Sequence, residues 1–359
     1  MQKEALVAAE GGGVWRLACD EGHYLNGTDL APPPLDFFSA GMQFAVMSAA
    51  LEEARSRDVT LGAIRLLQDN VYEISGSFLR GDARGTARPP KLHLVLERPP
   101  RADLSPALLG SIARDALRRA TALALARDVL ANRFGLTVRG RPVPLAAMKE
   151  IPRAESVAAA AVAELFRRFR ADSSSKSTEP AIVKTSQAER VENHRDGAGV
   201  GLKAEQKRTI HIRSRGEWTG DDSFVVDVDL LQPIGSSFRF RSELLRPGAQ
   251  APPPDAFVAS GVALCFMTQL GRYAAIRKSA IPVEAYSVLQ TGSFGLAGGN
   301  AVARPLDTAV FVETDAPSEA SADLVRTGER TCFLHACMRT NIVPEVTLEV
   351  DGESVSVAT

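Results

Sequence analysis

The chain is short of reactive and metal-binding side chains. Its 359 residues include four cysteines (Cys19, Cys265, Cys332 and Cys337), five histidines and two tryptophans. No two cysteines form a CxxC pair, which excludes the usual zinc ribbons and dithiol motifs. The closest approach to a metal pattern is Cys332-x-x-His335-x-Cys337. On one continuous helix those two sulfurs diverge by about 140°, so no metal is expected. Apolar runs fall short of the roughly 20 residues that cross a bilayer. Lys3, Glu4 and Glu10 break up the N-terminal stretch and argue against a signal peptide. The net charge of −1 gives no global attraction to nucleic acid or membrane. Together these absences lead us to expect a cytoplasmic globular protein with free thiols and no metal or bound cofactor.

What is present is a repeat. Ala31–Met47 (APPPLDFFSAGMQFAVM) aligns without a gap on Ala251–Met267 (APPPDAFVASGVALCFM). Ala, three prolines, Phe37/Phe257, Gly41/Gly261 and Met47/Met267 coincide, where chance gives about one match. In each copy the prolines introduce a helix that is apolar nearly all round, the pattern of a helix buried in the middle of a body. Strand-like segments follow, at 59–80 with a break at Gln68-Asp69-Asn70, at Lys91–Glu97, and at 283–293 and 300–314. A second helix is expected over 105–133 in one copy and 316–340 in the other, each followed by a closing strand. The copies occupy 14–150 and 208–359, and 151–207 holds an amphipathic helix (153–170) and a polar, flexible linker. Copy one has too few residues before Trp15 for the hairpin expected at the start of copy two.

The copies differ at their centre, where Ala45 stands against Cys265. Around that cysteine, Pro254–Phe266 (PDAFVASGVALCF) resembles the PEQLFAAGYAACF signature of the OsmC/Ohr family, the osmotically inducible and organic hydroperoxide resistance proteins. Pro254, Ala259, Gly261, Ala263, Cys265 and Phe266 match. Cys332, 67 positions on, falls where that family carries a second cysteine. The resemblance implies an α+β fold, with two tandem OsmC-like copies forming a pseudo-dimer inside one chain and the central apolar helices packed against β-sheets. It implies Cys265 as the peroxidatic thiol and Cys332 as the resolving thiol. Aligning Arg213–Leu230 on the family's first strands implies Arg215, or else Arg213, as the cation that favours the thiolate. Asp255 would hold that arginine. The chain departs from the pattern in having Asp rather than Glu at 255, Phe333 in place of a proline, and Leu334-His335 in place of a polar pair. Copy one keeps none of the set, with Leu35, Ala45 and Ala120 at the corresponding positions.

The expected activity is therefore a thiol-dependent peroxidase acting on organic hydroperoxides, with an external dithiol as reductant and no nucleic-acid or membrane partner. Further association of chains stays open. Two rival readings are a non-catalytic protein that binds a small molecule or a partner, and other Cys265 chemistry such as sulfur or acyl transfer. Trp15, Phe37 and Phe44 are the residues from copy one that could wall the pocket.

Overall fold

A computed structural model describes residues 2–9, 13–173, 179–188, 208–246 and 248–356. The first half contains β1 (Lys3–Ala8), β2 (Val14–Cys19), α1 (Pro34–Ser56), β3 (Ala63–Ser75), β4 (Arg84–Ala87), β5 (Lys91–Glu97), α2 (Pro106–Arg119), α3 (Thr121–Arg127), β6 (Arg133–Val138) and β7 (Arg141–Pro142). Between the halves lie α4 (Ala159–Asp172) and β8 (Ile182–Ser186). The second half contains β9 (Arg208–Gly220), β10 (Ser223–Gln232), β11 (Ser237–Glu243), α5 (Pro254–Ile276), β12 (Tyr286–Thr291), β13 (Phe294–Ala297), β14 (Asn300–Ala303), β15 (Asp307–Val312), α6 (Ser318–Thr331), α7 (Phe333–Arg339), β16 (Glu345–Val350) and β17 (Glu353–Val355). The architecture is α+β.

The prolines act as the sequence predicts. Pro34 and Pro254 occupy the first helical position, where a missing N–H costs nothing. The two helices they start are buried along most of their length and pack on each other. Phe37, Phe44, Phe240 and Phe257 form an aromatic cluster in that core, with ring centroids 5.4–6.5 Å apart. Each such buried ring contributes roughly 1.5–3 kcal/mol.

Strands cross between the halves. A nine-stranded sheet runs β17-β16-β5-β3-β9-β10-β11-β8, with β4 beside β3. Within it β16 lies parallel to β5, Leu348 opposite Leu94, and β9 lies antiparallel to β3, Gly216 opposite Leu66. A four-stranded sheet runs β12-β15-β6-β7, and there β6 from the first half lies parallel to β15 from the second. Helix α1 packs on β9, β10 and β3, whereas α5 packs on β1 and β12.

Several expectations are corrected. The hairpin thought missing from the first half exists as β1–β2, so a boundary at 14 cuts between its strands. β3 runs unbroken through Gln68-Asp69-Asn70, because Gln68 and Asn70 face inward onto polar partners: Asn70 Oδ1 accepts from Ser39 Oγ and from Gln68. The expected linker contributes strand β8, which pairs with β11, while 174–178 and 189–207 lie outside the described residues. Each second helix is split, at Ala120 in the first half and at Cys332 in the second, where the backbone turns extended for one residue.

Candidate active site

The split at Cys332 makes the site. An unbroken helix would bond the N–H groups of residues 333 and 334 to carbonyls one turn back. With Cys332 extended (φ −69°, ψ 123°), those donors open the new helix α7 unpaired within it. The N–H groups of Phe333 and Leu334 lie near enough to Cys265 Sγ to favour its thiolate form. Cys332 donates its S–H to Cys265 across 3.4 Å. Both sulfurs are buried.

Burial alone would push the Cys265 thiol up. The hydrogen bond from Cys332 and the two backbone N–H groups outweigh it, and the net displacement is downward. Cys332 moves the other way: burial and the neighbouring Cys265 sulfur hold its proton on. One thiol of the pair is therefore biased toward thiolate and the other toward thiol. A thiolate is the nucleophilic form, and a neutral thiol beside it can condense with its oxidised product.

Arg215 takes no part in this. Along β9, Ile210, Ile212 and Ser214 face inward and the odd-numbered residues face out. Arg215 is exposed and paired with Asp229 on β10, and its alternative Arg213 is paired with Asp69 on β3 at 2.9–3.0 Å. The alignment selects a strand that serves α1, the helix without a cysteine, because the strands cross between halves. Asp255 is displaced for the same reason. Its Oδ1 accepts from Thr121 Oγ1 at 2.8 Å. Thr121 opens α3, just after the helix break at Ala120, so Asp255 is tied to the first half's helices and not to the thiol pair. Burial raises its carboxyl pKa, eased by the hydrogen bond from Thr121.

Sequence reasoning overlooked a buried charge near Cys265. Lys3 Nζ donates to Glu21 Oε1 and to Thr268 Oγ1, each at 2.6 Å. Thr268 stands three residues past Cys265, on the same side of α5. Burial works against the Lys3 charge, but Cys19, Glu21 and Cys265 raise its pKa overall. The signal was there to read, since Lys3 opens an alternating apolar stretch in which a lone lysine must find an anion once buried.

Aromatic groups close the remaining sides. Phe266, next to Cys265, and Phe134 flank His335 at 5.3 Å each, and burial lowers that imidazole to about 3, so it is neutral. Tyr72 of β3 packs on Phe333, with centroids 5.6 Å apart. Of the walls expected from the first half, Phe37 and Phe44 belong to the interhelical core instead, and Trp15 lies half-buried on β2. A cleft of about 400 Å³ on the outer face of the four-stranded sheet, near Leu136, Ile151 and Phe311, includes none of the cysteines. Among the described residues no group of three or more His, Cys, Asp or Glu is arranged to hold a metal ion, and no helix is long and apolar enough to cross a membrane.

No protein-family model matches this sequence, and no curated protein is similar to it. Among solved structures, the chain is similar to an OsmC-like hydroperoxide resistance protein from Jannaschia sp. CCS1. The likeness is 25% identical, covers 34% of this chain and 81% of that one, and has a TM-score of 0.21.

Proposed function

We propose that the protein is a thiol peroxidase in which Cys265 reduces an organic hydroperoxide and Cys332 resolves the product. The Cys265 thiolate attacks the terminal peroxide oxygen, giving a sulfenic acid and the alcohol. The Cys332 thiol then condenses with the sulfenic acid, forming a disulfide and releasing water. An external dithiol in the reducing cytoplasm returns both thiols. The observation that carries this reading is the 3.4 Å separation of two buried sulfurs with opposite proton preferences. A disulfide needs about 2.05 Å between sulfurs, so closure takes a small approach and no rearrangement of the fold.

We infer further that the halves are two OsmC-like units paired within one chain. The first keeps the shape and the second keeps the thiols. The exchange of β6 and β16 between halves supports this, as does the shared helix break at Ala120 and Cys332. Burial of Cys265 is the one observation that favours the rival reading of a non-catalytic binding protein.

One experiment decides between them. The reduced protein receives one equivalent of cumene hydroperoxide and is mapped by mass spectrometry without reductant. The peroxidase reading expects loss of two hydrogens and a 265–332 linked peptide, with Cys265→Ser inert and Cys332→Ser stopping at a Cys265 sulfenic acid that further equivalents of hydroperoxide over-oxidise. Wild-type protein that keeps all four thiols removes the proposal.

A further inference from the structure

The hydroxyl of Tyr72 is buried and makes no hydrogen bond of normal geometry, the Asn70 side chain being the polar group that approaches it. A poorly paired phenol inside a protein is destabilising, and native structures keep few such groups without a reason. The surroundings of this one supply a reason. β3 presents Tyr72 on its inner face, and the ring lies against Phe333. Phe333 follows Cys332, and its N–H is one of the two that favour the Cys265 thiolate. Phe333 and Cys337 are four apart on α7 and share a face. Burial first, then the charged forms of Cys337 and Cys265, keep the Tyr72 proton in place. The Tyr72 phenol thus keeps its proton and packs, from the other half of the chain, on the residue that follows Cys332.

O–O cleavage calls for such a donor. An alkoxide is a poor leaving group, and with Arg215 turned outward that guanidinium cannot receive its charge. We propose that Tyr72 is the general acid of the cleavage step, a catalytic residue that the first half supplies to the thiols of the second. This rests on the peroxidase reading. As the S–O bond forms, the O–O electron pair departs on the alkoxide, which takes the Tyr72 proton and leaves as the alcohol. Sulfur is oxidised by two electrons and the peroxide is reduced by two. The Tyr72 phenolate recovers a proton from solvent, equal to the one Cys265 released on ionising, and Cys332 then forms the disulfide with loss of water.

The test uses the full chain carrying Tyr72→Phe, which keeps the ring against Phe333 and removes only the hydroxyl. Its thermal unfolding midpoint should equal or exceed that of wild type. Single-turnover thiol loss is followed with tert-butyl hydroperoxide and with peracetic acid. The first must expel a basic alkoxide, whereas the second expels a carboxylate that needs no proton. Loss of a general acid should slow the alkyl hydroperoxide about 10²-fold or more and leave the peracid near the wild-type rate. Equal slowing of both, or no slowing of either, overturns the assignment of Tyr72. Wild-type protein that reacts with neither overturns the peroxidase reading, which is a distinct result. Should Tyr72→Phe fold poorly, the wild type still decides. A solvent deuterium effect larger for tert-butyl hydroperoxide than for peracetic acid is expected, and equal effects overturn the proposal.

Discussion

Gly41 and Gly261 meet the opposite central helix at matching points of their crossing. A Cβ on Gly41 would lie 2.7 Å from Val258 Cγ2 and 2.8 Å from Val258 N, and one on Gly261 would lie 2.8 Å from Phe38 N. Two backbones approach this closely only where neither carries a side chain at the contact. Gly261→Ala therefore forces α1 and α5 apart. Overpacking costs about 1–3 kcal/mol, against roughly 1 kcal/mol gained in helix propensity. A thermal midpoint lowered by a few degrees is expected for Gly261→Ala and for Gly41→Ala, and a rise in both would contradict the packing described.

Cys332→Ala removes the S–H that points at Cys265 and leaves the two backbone donors. The ionisation of Cys265 should then move to higher pH. Thiolate absorbance near 240 nm, titrated against Cys265→Ser as the blank, measures it. An unmoved midpoint would mean that the S–H contributes nothing to the thiolate.

Lys3 and Glu21 form an ion pair whose side chains are 4% and 3% exposed. Lys3→Met strands a buried carboxylate and should cost about 3–5 kcal/mol. The double variant Lys3→Met/Glu21→Leu should recover most of that loss, because no charge then remains unpaired. Denaturant unfolding of the four proteins closes the cycle, and a double variant as unstable as the single would show that packing rather than charge is at issue.

Asp255 has its carboxyl pKa raised by burial. For such a group the folded state prefers the proton, so its contribution to stability is full below the unfolded value near 3.9 and fades as pH rises through the folded one. Asp255→Asn keeps an acceptor for Thr121 and has no charge to desolvate. It should match wild type in acid, exceed it near neutrality, and leave the 265–332 disulfide yield unchanged. Buried Asp36 acts in the same direction, so the difference between the two pH profiles is the quantity to read. A lost disulfide in Asp255→Asn would restore this residue to the thiol site.

The elements that rest on local chemistry were legible. Three prolines before an apolar run mark α1 and α5, and alternation marks β5 and β16. Cys265 and Cys332 could be paired from the family resemblance. What stayed hidden depends on which half each strand joins. Arg215 reads well as a partner for Cys265 so long as β9 is taken to serve its own half, and only the pairing of β9 with β3 shows otherwise. The break at Cys332 was equally silent, since GERTCFLH carries neither Gly nor Pro at the turn itself. The polar inward face of β3 looked like an interruption because Ser39, which bonds Asn70, lies 31 residues away in sequence.

The strand exchange bears on how the chain tolerates damage. A protease cut within 189–207 would sever the covalent path from β8 to β9 but leave β16 seated on β5 and β6 on β15. The two fragments would stay together through the sheets and should co-elute as one particle until denaturant is added. Either fragment expressed alone lacks the neighbours its terminal strand requires, so the native body would be recovered by mixing rather than by refolding a single piece.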